Sequence, residues 1–179
     1  MNKTAYFHPA LRIVHWLMAA AILAMLFIGV AMVSTVSSLH SVLVSIHKPL
    51  GVMILLLVIV RLWLRFTTAT PALPVSLPAW QRAMAYLSHW ALYLMMLAQP
   101  LIGWAMLSAA GYPITLGNGL VLPPIMAVNN DWYAILRPLH TWVALALFAT
   151  VMLHLAAALL HALVLRDGVF SSMTGIRKP

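Results

Sequence analysis

The chain has 179 residues, of which 64% are apolar and 7% are charged. In soluble domains about a quarter of the residues are charged. A water-soluble protein of this size could not bury so many apolar side chains in its core. The net charge of +8 does not indicate nucleic-acid binding, because the basic residues are neither clustered nor interleaved with aromatic residues in a polar segment. The absence of cysteine excludes disulfides, cysteine-ligated iron–sulfur clusters and covalently attached haem.

Four long apolar segments follow one another along the chain, at residues 11–33, 42–66, 86–108 and 139–165. Each is long enough to cross a hydrocarbon layer, which takes about 20 helical residues. The length of the first segment favours a retained anchor over a cleaved signal sequence. We therefore predict an all-α membrane protein whose single domain, residues 1–179, is an up-and-down bundle of four transmembrane helices.

The links between the helices differ in composition. The first, about residues 34–41, is short and serine-rich, which makes helices one and two antiparallel neighbours. The second is proline-rich and should be extended. The third, residues 109–138, contains many glycines and prolines, so we expect no regular element there and a return over the outer mouth of the bundle. Pro138 suits the first turn of helix four, whereas Pro100 inside helix three predicts a kink.

The basic residues predict that both termini are cytoplasmic. With that orientation the cytoplasmic side has eight Lys and Arg residues and the opposite side has two, which agrees with the positive-inside rule. The cytoplasmic set is Lys3, Arg12, Arg61, Arg65, Arg82, Arg166, Arg177 and Lys178, and the other two are Lys48 and Arg137. We use inner end for the end of the bundle at which the chain begins and ends, and outer end for the opposite one.

The chain has eight histidines but only two carboxylates, and ionisable residues within a bilayer are costly enough to be functional candidates. His140 and His154 are about 21 Å apart along helix four and lie within about 40° of one face. Depth in the bundle pairs His15 with His154, the inner pair, and His47 with His140, the outer pair. His8 and His40 are expected to be interface or loop residues.

Each pair can supply two axial imidazoles to an iron whose equatorial positions belong to a porphyrin. The pairs therefore predict two non-covalent b-type haems in the bundle core. Six-coordinate iron has no vacant site for oxygen activation, so electron transfer is the expected chemistry. Isolated intramembrane histidines more often hydrogen-bond neighbouring helices, but four that pair by depth favour ligation. A non-haem metal is disfavoured, because carboxylates and cysteines are absent from the predicted core.

Further polar residues lie near the two ends. At the inner end, His89 and His161 can exchange protons with a quinone or be solvent-reached residues at helix ends. Arg12 and Arg61, with Arg65 nearby, can pair with haem propionates or a quinone carbonyl, or only anchor the inner side. At the outer end, Lys48 and Arg137 can steer an anion toward the protein or neutralise haem propionates.

A characteristic pattern of histidines, arginines, aromatic residues, glycines and prolines is distributed over nearly the whole chain. It comprises Arg12, His15 and Trp16; His47, Lys48, Gly51, Arg61 and Arg65; His89, Tyr93, Pro100, Gly103 and Trp104; Gly111, Tyr112 and Pro113; and His140, His154, Ala158, His161, Arg166, Asp167 and Gly168. In this set the chain resembles the bacterial cytochrome b561 family. The resemblance implies a four-helix, di-haem cytochrome of the bacterial inner membrane and assigns the axial ligand role to the inner and outer pairs.

The resemblance also implies a function. At least one branch of the family oxidises superoxide at the periplasmic face and reduces ubiquinone, so we expect an oxidoreductase whose partners are lipid, quinone and superoxide. Similar domains serve as cytochrome subunits of hydrogenases and dehydrogenases, which makes a redox partner protein the first alternative. The compact length favours the stand-alone branch. The second alternative is a structural or transport protein without redox activity, and it predicts a colourless preparation.

Overall fold

The computed structural model is a bundle of four long helices. It describes residues 6–74, 77–116 and 119–175. The helices are α1 (Pro9–Ser34), α2 (Ser38–Thr67), α3 (Ala79–Ala109) and α4 (Asn130–Leu159), and a π-helical segment (Leu160–Leu165) continues α4. Within these ranges there are four helices, the last including its π-helical continuation, that are long and apolar enough to cross a membrane. The predicted four-helix membrane architecture is confirmed.

The helices extend beyond the apolar segments that predicted them. Both α3 and α4 begin well before the predicted residues 86 and 139. The additional turns contain Trp80 and Trp132, whose side chains are exposed, and such amphipathic rings suit the boundary between membrane and water. Hydropathy located the apolar central parts of the helices and missed these first turns, because their polar residues lower the local average.

The start of α4 corrects the prediction for Pro138. Asn129 caps the helix, since its side chain accepts a hydrogen bond from the Trp132 backbone nitrogen at 3.0 Å. Asp131 lies in the first turn, where the helix dipole favours a negative charge. Pro138 therefore lies inside α4 instead of in its first turn, and that prediction was wrong. Pro100 lies inside α3, where it was expected.

The third link contains regular structure, contrary to expectation. Strands β1 (Ile114–Leu116) and β2 (Leu120–Leu122) pair antiparallel, and Gly119 before β2 has a φ of +81° that glycine adopts easily. The Trp104 Nε1 donates a hydrogen bond to the Pro123 carbonyl at 3.0 Å, which holds the link on the end of α3. Strand β1 also contacts α2. The glycines and prolines thus prevent a helix but permit a hairpin that returns over the outer end of the bundle.

The packing of the helices leaves one side of α4 relatively open. Helix α1 packs along α2, α2 contacts α3, and α3 packs along α4. Among the described residues, α4 makes no comparably extensive contact with α1 or α2. A buried cluster at the middle of the bundle joins all four helices and includes Met18, Ile22, Ile54, Val58, Leu92, Met96 and Leu147.

The outer surface of the bundle is apolar. Large side chains such as Phe27, Leu94 and Leu153 are 72%, 69% and 72% exposed. Soluble monomers rarely expose contiguous apolar surface of this kind, whereas lipid-facing helices do. The chain is a multi-pass membrane protein.

Both ends of the described chain meet at the inner end. The Phe7 backbone nitrogen donates to the Ser172 carbonyl at 3.1 Å, and Ser172 lies on a short helix, α5 (Val169–Thr174), that was not predicted. Chain direction places five of the predicted inner cations at this end: Arg12, Arg61, Arg65, Arg82 and Arg166. Lys3, Arg177 and Lys178 lie outside the described residues. The cytoplasmic assignment of this end stays a prediction.

Candidate functional site

The four predicted ligand histidines form two pairs across the open side of the bundle. The ring centres of His15 and His154 are 6.4 Å apart, and those of His47 and His140 are 6.3 Å apart. Two metal–nitrogen bonds of about 2 Å, with roughly 1 Å from each nitrogen to its ring centre, give about 6 Å when two imidazoles bind one metal ion. A direct hydrogen bond of about 3 Å would bring the centres to roughly 5 Å. The pair distances fit two axial ligands better than hydrogen-bonded rings.

The outer pair contains unpaired buried nitrogens. The Nδ1 atoms of His47 and His140 are both buried and have no hydrogen-bond partner in the described part of the chain. Leaving a buried polar atom unpaired is unfavourable by about 1–3 kcal/mol. Histidines that merely bridge helices would use these atoms, so their unpaired state argues against a purely structural role for the pair.

Helix α3 shapes the environment of His140. A Cβ atom on Gly103 would lie 3.0 Å from His140 Cε1 and 3.4 Å from its Nδ1, so the ring packs against the α3 backbone. One turn earlier, Gln99 Nε2 donates a hydrogen bond to the His140 carbonyl oxygen at 2.9 Å. Sequence reasoning did not single out Gln99. A polar amide inside an apolar membrane segment was the signal that could have identified it.

Two arginines at the inner end have unused hydrogen-bond donors. Arg61 donates from Nε to the Tyr93 hydroxyl at 3.1 Å, and its Nη1 is buried and unpaired. Arg12 donates from Nη2 to the Thr174 carbonyl at 2.9 Å, and its Nε is buried and unpaired. Buried guanidinium donors without partners fit the carboxylates of a bound haem.

The residues of this site fit bound haem. The open side of α4, the two pair distances and the spare guanidinium donors agree with two haems held between α4 and the first two helices. The donor set consists of paired imidazoles, which fits ligation of haem by two histidines, and the chain has no cysteine that could attach the haem covalently.

His89 lies closer to the inner pair than predicted. Its ring centre is 5.5 Å from that of His154, so α3 contributes a third imidazole beside this pair. Among the described residues there is no group of three or more His, Cys, Asp or Glu side chains that could hold a metal ion. His89 is therefore a neighbour of the proposed ligand and does not complete a three-ligand metal site.

His161 has a carboxylate partner that sequence reasoning missed. Its Nδ1 is 2.6 Å from Asp167 Oδ2, and the other carboxylate oxygen accepts a hydrogen bond from the Val169 backbone nitrogen at 3.1 Å. The turn that brings Asp167 back to the helix uses positive φ angles at Arg166 (+49°) and Gly168 (+88°). His161 itself lies in the π-helical segment, a distortion that is frequent at functional sites. The His-x5-Asp spacing at the helix exit was the available signal.

The two outer cations, Lys48 and Arg137, have different surroundings. Lys48 Nζ donates a hydrogen bond to the Pro113 carbonyl at 3.2 Å and so holds the third link against α2. Arg137 is exposed on α4. An ammonium group has three donors, so the Lys48 contact leaves capacity for a second partner.

The remaining histidines have local roles. His8 Nδ1 accepts a hydrogen bond from the Ala10 backbone nitrogen at the start of α1. The His40 ring is 3.0 Å from the Met32 carbonyl through Nδ1, which joins the start of α2 to the end of α1. Both lie apart from the pairs, consistent with their expected loop and interface positions.

Comparison with known proteins identifies the family. The model of the family described as prokaryotic cytochrome b561 matches residues 6–175. Similar proteins include a probable superoxide oxidase CybB from Yersinia pestis, 31% identical over 128 residues that make up 72% of each chain. Cytochrome b561 homolog 1 from Escherichia coli K12 is 29% identical, covering 79% of this chain and 80% of the relative. Homolog 2 from the same organism is 26% identical, covering 90% and 87%. The chain therefore belongs to the prokaryotic cytochrome b561 family, whose members transfer electrons and whose cofactor is b-type haem.

Proposed function

We propose that this chain is a di-haem oxidoreductase of the bacterial inner membrane that oxidises superoxide at its outer end and reduces ubiquinone. The observation that carries the proposal is the geometry of the inner and outer pairs, with ring centres 6.4 and 6.3 Å apart. The name of the Yersinia pestis relative, probable superoxide oxidase, supports the choice of donor. Two superoxide anions would each lose one electron to give oxygen, and ubiquinone would take up both electrons and two protons.

The two histidine pairs define the route of the electron from the outer end of the bundle to the inner end. His15 with His154, and His47 with His140, would each hold one b-type haem, and the two haems supply one-electron transfer when bound. The two α4 histidines are separated by about 21 Å of helix rise, which covers most of the hydrocarbon layer. Both histidines of each pair would be committed to holding the haem, so a superoxide anion would find no vacant ligand position and would give up its electron without binding the iron.

The inner-end residues support anion binding and proton delivery. The unpaired donors of Arg12 and Arg61 would bind propionate carboxylates. Asp167 accepts from His161 Nδ1, which leaves Nε2 free to exchange a proton with a quinone oxygen. His89 is the second candidate for this proton exchange, because it lies beside His154 at the same end.

The outer-end residues support attraction of an anion. Lys48 and Arg137 are at this end, against one described carboxylate, Asp131, in the first turn of α4. A net positive charge at a membrane surface raises the association rate of a small anion, and salt weakens the effect. The same charges can also pair with propionates of the outer haem.

The test is the difference spectrum of the detergent-purified protein, reduced with dithionite and oxidised, with haem counted per chain. We expect a low-spin b-type spectrum with two haems, of which His15→Ala and His47→Ala each lose one. His40→Ala is the matched control, because His40 only joins α1 to α2, and it should keep both.

The electron donor is tested on the same preparation. Enzymatically generated superoxide should reduce the protein, superoxide dismutase should abolish the reduction, and ubiquinone should reoxidise it. A two-haem spectrum without superoxide reactivity would move the donor to a partner dehydrogenase or hydrogenase. A colourless protein would contradict the electron-transfer proposal itself.

A further inference from the structure

Gln99 connects α3 to the histidine of the outer pair on α4. Its amide nitrogen donates to the His140 carbonyl oxygen at 2.9 Å. Its amide oxygen, Oε1, is buried without a hydrogen-bond partner, and so is His140 Nδ1. Two buried unpaired atoms therefore belong to two residues that are already hydrogen-bonded to each other.

The chemistry of a metal-bound imidazole makes these two atoms complementary. A histidine that binds a metal through Nε2 has its proton on Nδ1, and that N–H is almost always donated to an acceptor. Of the buried side-chain atoms without a hydrogen-bond partner among the described residues, Gln99 Oε1 is the one that can only accept. The Gln99 backbone also faces the His140 ring, but it stays in place when the side chain is changed, so a substitution of Gln99 separates the two acceptors. An amide also suits this position better than a carboxylate, because a buried charge within a membrane is costly.

We propose that Gln99 is the positioning residue of the outer ligand: its nitrogen holds the α4 backbone at His140 and its oxygen accepts the Nδ1–H of His140 when Nε2 binds iron. Gly103 makes room for this arrangement, since a Cβ there would lie 3.0 Å from the His140 ring. The inference rests on the proposed function only in that the outer pair holds a haem.

The arrangement has a measurable redox consequence. A hydrogen bond accepted from Nδ1–H makes the imidazole a stronger base and so stabilises the ferric state more than the ferrous state. Removal of such a partner typically changes metal affinity by about tenfold or more. A tenfold loss confined to the ferric state raises a one-electron midpoint potential by about 59 mV.

The experiment is a redox titration of the purified two-haem protein and of three variants. The Gln99→Leu variant removes both polar atoms, and Gln99→Glu keeps an acceptor oxygen at the same reach. Gln81→Leu makes the same change near the start of α3 and is the matched control. The His47→Ala protein, which keeps only the inner haem, identifies the component that belongs to the outer haem.

We expect Gln99→Leu to raise the outer potential by about 59 mV or more, Gln99→Glu to leave it at or below the wild-type value, and Gln81→Leu to shift neither component. An unchanged potential in Gln99→Leu, or an equal rise in Gln99→Leu and Gln99→Glu, would overturn the inference and leave the proposed function intact. If Gln99→Leu loses the outer haem, retention of that haem by Gln99→Glu supports the inference and its loss overturns it. A wild-type protein without haem would overturn the proposed function and this inference together.

Discussion

The substitution Gly103→Ala should selectively weaken the outer haem site. The added methyl group would lie 3.0 Å from His140 Cε1 and 3.4 Å from Nδ1, closer than the optimal separation of about 3.5–4.0 Å between carbon atoms. The ring would have to move away from α3 by several tenths of an ångström. Overpacking of this kind typically costs about 1–3 kcal/mol, which corresponds to a loss of affinity between about fivefold and about 150-fold.

The assay is haem content per chain after gel filtration, followed by the redox titration of whatever haem remains. Gly103→Ala should lose or loosen the outer haem and keep the inner one, because the inner pair has no contact with Gly103. Gly29→Ala is the matched control, since Gly29 is also helical and its Cβ would meet nothing within 4 Å. Alanine in an open helical position usually stabilises by about 0.5–1 kcal/mol. A Gly103→Ala protein with both haems and wild-type potentials would refute the steric reasoning.

Two further changes test the ends of the bundle. The Asp167→Asn variant should be reoxidised by ubiquinone at least about tenfold more slowly in stopped-flow mixing, with an unchanged haem spectrum, because the carboxylate orients His161 for proton exchange. Asp131→Asn is the control. Equal reoxidation rates in the two variants would contradict a role of Asp167 and His161 in proton transfer. Lys48→Gln should lower the rate of reduction by superoxide and flatten its dependence on ionic strength, because one of the two outer cations is removed; an unchanged salt dependence would restrict Lys48 to its contact with Pro113.

Local properties of the sequence were enough to predict the architecture. Apolar segment length defines how many helices cross a membrane, because hydrocarbon accepts only a backbone whose polar groups are all paired. The helix rise places His140 and His154 at different depths, and alternating chain direction then brings His15 and His47 to those depths. The structure brings both predicted pairs together. Their role as haem ligands stays a prediction.

Other features depend on contacts between elements distant in sequence, and only the tertiary structure decided them. Pro138 was compatible with a helix start, but the Asn129 side chain, nine residues earlier, satisfies a backbone N–H of the first turn of α4. The turn after the π-helical segment brings Asp167 onto His161. The rotation and close approach of α3 against α4 place Gln99 and Gly103 at His140. Hydropathy and spacing are insensitive to such rotation, because they describe one helix at a time, whereas the surroundings of a ligand are formed by the helix opposite it.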